Sequence, residues 1–368
     1  MKNASQRIGQ LLIVGFDGAS MSAGLSSLLK RIQPAGVILF ARNIVSAAQT
    51  HQLLKDCQAC VSTPLFTCVD MEGGLVDRLK NAIAPAPSAA EVFTTADRRL
   101  FRKHGRIIGE SCRATGFNTD LAPTVDLALE GSKSVMRSRT VSDDPKLTVS
   151  YAREFLAGLT TARVLGAAKH FPGLGGAALD THHELPAVKR SLRKLWEEDM
   201  YPYRAMRRDL RMVLVGHANY PDVTKDLKPA SLSKKWITDI LRKKIGYQGL
   251  ILSDDLEMGG VLKAAPIERA TVEFIRAGGD LCLLCHKEEG IVKSYEELVR
   301  ATQGDAKFRT RVEDSLARIS LFKRKSRELR RWSPPPAKER IEELSRKLWE
   351  FGEQVRLHSL AKGSTAND

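Results

Sequence analysis

Short runs of β-branched and other apolar residues alternate with longer amphipathic stretches along most of this chain. The apolar runs at 10–16, 35–40, 65–70, 118–125, 165–170, 212–217, 250–253 and 281–285 read as strands. Between them, apolar residues recur at helical spacing over 23–32, 47–60, 97–115, 146–162, 192–209, 233–244 and 267–277. Strands that alternate with helices predict an α/β fold with a parallel sheet. Eight such repeats over about 300 residues suit a closed (β/α)8 TIM-type barrel better than an open doubly wound sheet.

Polar residues sharpen that expectation. Strand after strand is apolar and then ends in ionisable groups: Asp70, Asp126, Lys169-His170, His217 and Asp254-Asp255. In a barrel the C-terminal strand ends form the active-site rim, so five strands deliver chemistry to one place. That convergence predicts an enzyme.

Beyond Trp332 the run Ser333-Pro334-Pro335-Pro336 breaks the chain, because proline cannot continue a helix. It divides a barrel domain over 1–331 from a helical tail over 332–368. In the tail Ile341, Leu344, Leu348, Phe351 and Val355 form one apolar stripe. The stripe either docks on the barrel or mediates self-association, so a monomer or a weak homodimer is expected.

Composition narrows the class. The 368 residues are 43% hydrophobic and 27% charged, as in globular proteins, and no apolar run reaches the ~18–20 residues of a membrane helix. Lys2 and Arg7 precede the apolar residues 11–16, a pattern shared with secretion signals. Asp17 ends that run early, so the segment reads as the first strand and the protein as cytoplasmic. Lys plus Arg exceed Asp plus Glu by 58 to 43, a net charge of +15 that favours anionic partners. Much of the surplus lies between Lys307 and Arg331, on what reads as the solvated face of a helix. No nucleic-acid-binding signature accompanies it, and no nucleic-acid partner is expected. Two C-x-x-C pairs, Cys57/Cys60 and Cys282/Cys285, suggest zinc at first sight. Residues three apart on a strand point to opposite faces, so Cys282 and Cys285 are poorly placed to chelate one ion. The cysteines read as small core residues, with no metal and no cofactor expected.

Two segments carry the densest chemistry. From Lys169 to His182 the chain reads K-H-F-P-G-L-G-G-A-A-L-D-T-H, a glycine-rich loop able to fold over a pocket. Asp180 and His182, two residues apart, can form a carboxylate–imidazole pair that fixes the tautomer and favours the protonated ring, as a general acid requires. The second segment is Ser253-Asp254-Asp255-Leu256-Glu257-Met258. Adjacent strand residues face opposite ways, so one aspartate can face the barrel centre while the other holds the loop.

Together these segments resemble glycoside hydrolase family 3, in its bacterial β-N-acetylglucosaminidase branch of cell-wall recycling. The branch pattern K-H-[FI]-P-G-[HNL]-G, four residues, then D-[ST]-H is met at every position from Lys169 to His182. Ser253 to Met258 is similar to the family's S-D-D-L-x-M, residues 36–43 to its second strand, and Ala122 to Asp126 to its fourth. The resemblance spans roughly residues 9–320.

It implies a retaining mechanism. Asp254 would be the nucleophile forming a glycosyl-enzyme ester; His182, oriented by Asp180, would be the acid/base. Retaining hydrolysis usually employs two carboxylates about 5 Å apart, so histidine in that role is a feature of the branch. It also brings the possibility of phosphate rather than water as acceptor. Asp70, Lys169 and His170 would bind sugar hydroxyls. Arg139 would join them, with Arg137 competing for the role, and Arg78 would lie near the ligand or buttress Glu72. His217 matches a histidine near the site, although a satisfied core histidine fits as well. The implied substrate is a muropeptide or oligosaccharide with terminal N-acetylglucosamine. The family's second-domain β-glucosidases are disfavoured. Where the family has D-Q-E-G-G-R-V, this chain has Asp70-Met71-Glu72-Gly73-Gly74-Leu75-Val76. Met71, Leu75 and Leu174 remove polar groups, which leaves a non-catalytic glycan-binding barrel as the alternative.

Overall fold

In the computed structural model, which describes residues 7–177 and 185–364, eight parallel strands close into one barrel. They are β1 (Leu12–Val14), β2 (Gly36–Ile38), β3 (Phe66–Val69), β4 (Thr119–Asp120), β5 (Leu165–Phe171), β6 (Met212–Val215), β7 (Leu250–Asp255) and β8 (Leu281–Leu284). β8 closes the ring on β1, with Leu12 opposite Cys282. The predicted α/β barrel is the observed fold, and the segment weighed as a secretion signal supplies β1.

Most strands are shorter than their apolar runs, and β4 differs most. Expected over 118–125, it pairs through two residues, because Pro123 has no N–H to donate. The chain stays beside β5 nonetheless: Thr124 bridges Lys169, and the Val125 N–H donates to the Lys169 carbonyl at 2.8 Å.

Around the barrel, α1 (Ala23–Ile32), α2 (Ala47–Cys60), α3 (Arg98–Ala114) and α4 (Pro145–Thr161) start at the side-chain caps Ser22, Ser46, Asp97 and Asp144. Each cap oxygen accepts an N–H that the first helical turn leaves unsatisfied. The helix expected over 192–209 is two pieces, α5 (Leu192–Glu197) and α6 (Tyr201–Ala205). Pro202 opens the second, where its missing N–H costs nothing. Then come α7 (Lys235–Lys244), which is wound as a π-helix, α8 (Ile267–Ala277), α9 (Glu288–Gly304) and α10 (Ala306–Lys325). After β3 an unforeseen hairpin pairs Met71–Gly73 with Val76–Asp77. Gly73, at φ 82°, turns it; a Cβ there would lie 2.1 Å from the Pro87 carbonyl oxygen.

The tail forms α11 (Lys338–Ser364), which docks on the barrel. Leu344, Leu348, Phe351 and Val355 are buried. Lys103 on α3 donates to Gln354 Oε1 at 2.7 Å, and Ser345 donates to the Ile83 carbonyl at 2.9 Å. No helix among the described residues is long and apolar enough to cross a membrane. Cys57, Cys282 and Cys285 are buried.

Candidate active site

The polar residues of the mouth are organised around a carboxylate at the end of β3. Glu72, 3% exposed, receives two hydrogen bonds from Arg139, Nε and Nη2, at 2.8 Å each. Lys169 Nζ reaches its other side at 2.7 Å, and Thr124 donates to Oε2 at 3.1 Å. Burial alone would raise the Glu72 carboxyl pKa, but Arg139 and Lys169 outweigh it and hold it well below the carboxylate range. The same pairing holds Arg139 charged against its burial, and Asp70 with Glu72 does so for Lys169. Lys169 Nζ also donates to Asp70 Oδ1 at 2.7 Å, so one ammonium spans two carboxylates.

A second cluster joins the strand ends of β4 and β5. Asp126 Oδ2 accepts from His170 Nδ1 at 2.6 Å and from its backbone N–H at 3.1 Å. The other oxygen, Oδ1, accepts the Leu174 N–H at 2.7 Å, at the start of the glycine-rich loop. With Nδ1 directed at Asp126, His170 Nε2 faces the barrel axis, 3.5 Å from Arg139 Nη2 and 4.0 Å from Asp254 Oδ2.

The adjacent aspartates of β7 divide as their alternation requires. Asp254 turns towards the mouth, 21% exposed, with the Asp255 N–H donating to its Oδ1 at 2.9 Å. Desolvation works against its charge, yet His170, His217, that N–H and Lys169 hold its pKa below the ordinary value. Asp254 is therefore an ionised carboxylate whose Oδ2 accepts no hydrogen bond among the described residues. Asp255 instead caps the loop, accepting from the Glu257 N–H at 3.0 Å and contacting His286 Nε2 at 3.1 Å. His217 is a satisfied core histidine: Nδ1 meets Ser231 Oγ at 2.8 Å, Nε2 the Asp255 carbonyl at 2.9 Å. Burial lowers its pKa.

Asp70, Arg139, Lys169, His170 and Asp254 thus come together as one cluster. Arg137 does not join it; its Nε donates to the Ser134 carbonyl. Arg78 does not buttress Glu72, a task Arg139 performs. It stands 5.9 Å over the Phe40 ring, with its buried Nε unpaired among the described residues. Asp180 and His182 lie outside the described residues. Met71 is buried and Leu75 is 55% exposed at the hairpin turn, so neither replaces the missing polar groups. Sequence reasoning passed over two roles: Glu72 as the brace of both cations, and His286 as the partner of Asp255. A carboxylate two residues after a strand-end aspartate was the available signal for the first.

A barrel mouth that sets an ionised carboxylate beside clustered Asp, Lys, His and Arg side chains has the groups that glycoside hydrolysis requires. Residues 4–321 match the family described as Glycosyl hydrolase family 3 N terminal domain, and the chain belongs to that family. It is 33% identical over 301 residues to a beta-hexosaminidase of Xanthomonas oryzae pv. oryzae, covering 80% of this chain and 87% of that protein. A glycoside hydrolase family 3 beta-N-acetylglucosaminidase from Paenibacillus sp. superposes with a TM-score of 0.87 at 28% identity, over 95% of this chain and 69% of that one. A family 3 glycosyl hydrolase from Mycobacterium smegmatis superposes with a TM-score of 0.79 at 30% identity, over 87% and 97%.

Proposed function

We propose that this glycoside hydrolase is a retaining exo-β-N-acetylglucosaminidase that removes terminal N-acetylglucosamine from peptidoglycan-derived fragments. The observation that carries the reading is Asp254: ionised, at the axial end of β7, one oxygen held and the other turned to the mouth. Attack of that oxygen on the anomeric carbon forms an ester as the glycosidic C–O bond breaks, its electron pair leaving with the aglycone oxygen. His182, oriented by Asp180, gives that oxygen a proton. The neutral ring then takes a proton from water, whose oxygen displaces Asp254 with net retention.

The mouth's other carboxylates are already engaged by neighbouring groups, which leaves the acid/base role to a histidine. Asp70 is engaged by Lys169, Glu72 by Arg139 and Lys169, Asp126 by His170 and Leu174, and Asp255 by His286. Asp70, Lys169, His170, Arg139 and Arg78 would bind the hydroxyl groups of the terminal sugar. No cofactor enters this scheme. The division into a catalytic barrel over 1–331 and an appended helix over 332–368, a monomeric or weakly dimeric state and a cytoplasmic location belong to the same proposal.

A chromogenic N-acetylglucosaminide tests it. Wild type should turn over well above Asp254→Ala, with the β-anomer as first product by proton NMR. Equal rates for the two proteins, or release of the α-anomer, would overturn the reading. Repeating the assay with added phosphate separates hydrolysis, which yields the free sugar, from phosphorolysis, which yields a sugar phosphate.

A further inference from the structure

The opposite end of the barrel is also built around a cavity. Gln10 precedes β1, Gln33 precedes β2 and Thr63 precedes β3, so the three mark the N-terminal face, away from Asp254. Lys323 of α10 ties this face together. Its Nζ donates to Gln10 Oε1 and to the Ala35 carbonyl at 2.9 Å each, and lies 3.4 Å from Thr63 Oγ1. Gln10 in turn donates to the Gln33 and Pro34 carbonyls at 2.6 and 3.0 Å. Beside this polar layer lies a cavity of about 390 Å³, within the range of small-ligand sites.

One side of the cavity is a face of α10. Leu316, Ile319, Ser320, Lys323 and Arg324 recur at spacings of three and four and line it together. Leu316 and Ile319 are buried and, with Pro64, supply its aliphatic surface. Three exposed guanidiniums complete the lining, those of Arg7, Arg324 and Arg330. Arg7 is answered by Glu313 at 2.8 Å. Arg330 Nη2 donates to the Arg324 carbonyl at 2.5 Å, which brings these two residues together, and neither forms an ion pair among the described residues. No aspartate or glutamate stands among the described lining residues. Acids close by in sequence are occupied elsewhere: Asp314 lies 3.5 Å from Arg311, and Glu328 lies 3.8 Å from Arg211.

Part of the basic stretch over 307–331 therefore faces a partly apolar cavity. A guanidinium offers parallel N–H donors that fit the oxygens of a phosphate, and two of them match its charge. Aliphatic surface beside them takes an alkyl chain out of water. We propose that this cavity binds an alkyl phosphate, its head on Arg324 and Arg330 and its chain against Leu316 and Ile319. No residue of the barrel mouth takes part, so the site stands apart from the glycosidase reading. A ligand held between α10 and the segment before β3 stabilises the folded chain by mass action.

Calorimetric titration with octyl phosphate, kept below its micellar concentration, tests the site, with inorganic phosphate and 1-octanol as the two halves of the ligand. Octyl phosphate should bind at least about tenfold more tightly than either half and should raise the melting temperature of the wild-type chain. Arg324→Glu should weaken it by about tenfold or more, through reversal of a charge at the head. Ser320→Trp, at an exposed helical position, should weaken it as much by filling the cavity. Thermal melts without ligand check that both variants fold, and Arg330→Glu replaces Arg324→Glu should that variant unfold. Equal affinity for phosphate and octyl phosphate would leave an adventitious ion only. Equal affinity for octanol and octyl phosphate would leave an apolar surface without a head-group site. Either result, no binding by wild type, or binding that survives the substitutions would overturn the proposal.

Discussion

Glu72 and Arg139 meet edge to edge through two parallel hydrogen bonds of 2.8 Å, the carboxylate nearly inaccessible to solvent. Neither oxygen of Glu72 is left for a ligand, since Lys169 and Thr124 take what remains. Glu72 therefore acts through Arg139 and Lys169, fixing two flexible cations in the barrel mouth.

Glu72→Gln should expose how much that fixation matters. The amide keeps the shape but leaves Lys169 paired with Asp70 alone and Arg139 with no ion-pair partner among the described residues. Breaking one partner of such a cluster costs ~3–5 kcal/mol. Denaturant unfolding should show a loss of that order, and KM should rise more than kcat falls, because ground-state contacts to the sugar loosen first. Unchanged KM with normal stability would remove the positioning role.

Much of this arrangement was legible beforehand, for particular reasons. Asp70, Lys169, His170 and Asp254 were visible because an ionisable residue closing an apolar strand has one place to go in a barrel. α1, α2 and α8 were visible because their apolar spacing and their limits agree. The hairpin after β3 was not, since two three-residue-scale strands leave too short a pattern for periodicity to register. The Glu72 brace was hidden for another reason. It joins residues 67 and 97 positions apart, and nothing local marks which cation will reach which carboxylate. Glu257 was similarly opaque: it looks like a surface acid and serves as a backbone cap for the next connection.

A pH prediction follows from the stems of the glycine-rich loop. Gly173, at φ 133°, packs so closely on Asp199 that a Cβ would lie 2.6 Å from the aspartate's own. Gly176 lies against Arg190, whose Nε is 3.0 Å from Asp199 Oδ2. The contact lacks hydrogen-bond alignment, leaving both Asp199 oxygens without a side-chain hydrogen-bond partner among the described residues, and burial pushes this carboxyl up to about 7 despite Arg190. The folded chain then holds the proton more tightly than the unfolded one. That stabilisation is full below the unfolded pKa of ~3.9 and is lost as pH rises through about 7. Across that window Asp199→Asn should gain stability relative to wild type, by up to ~4 kcal/mol. Melting curves at pH 5 and pH 8 decide it; a constant difference between the two proteins would mean that Asp199 stays charged throughout.

The tail helix makes a separate prediction. Phe351 is fully buried between Lys103, whose Nζ is 5.2 Å from its ring, and His104, whose ring centroid is 5.8 Å away. Phe351→Ala should cost ~3–5 kcal/mol through lost burial and a residual cavity. Limited proteolysis should then cut first in the proline run at 334–336. Phe351→Leu, which keeps most of the volume, should recover most of the loss. If the alanine variant melted with wild type, α11 would be an attachment rather than part of the core.

The acid/base role leads to a test that separates bond breaking from nucleophilic attack. If Asp254 forms the ester as proposed, Asp254→Ala should abolish turnover of every glycoside whatever its leaving group. On the proposed mechanism His182→Ala would remove only proton donation in the first step and proton removal in the second. A nitrophenolate departs readily without a proton, whereas a sugar hydroxyl, with a pKa far above neutrality, does not. The histidine variant should therefore lose ~10²–10⁴-fold on a disaccharide and much less on the aryl glycoside. With the aryl substrate the second step becomes limiting, the ester accumulates on Asp254, and intact-protein mass spectrometry should detect it. Added azide, a nucleophile that needs no base, should then restore turnover and yield the β-glycosyl azide. Equal losses on the two substrates, with no trapped ester and no azide rescue, would move the proton transfer to another residue.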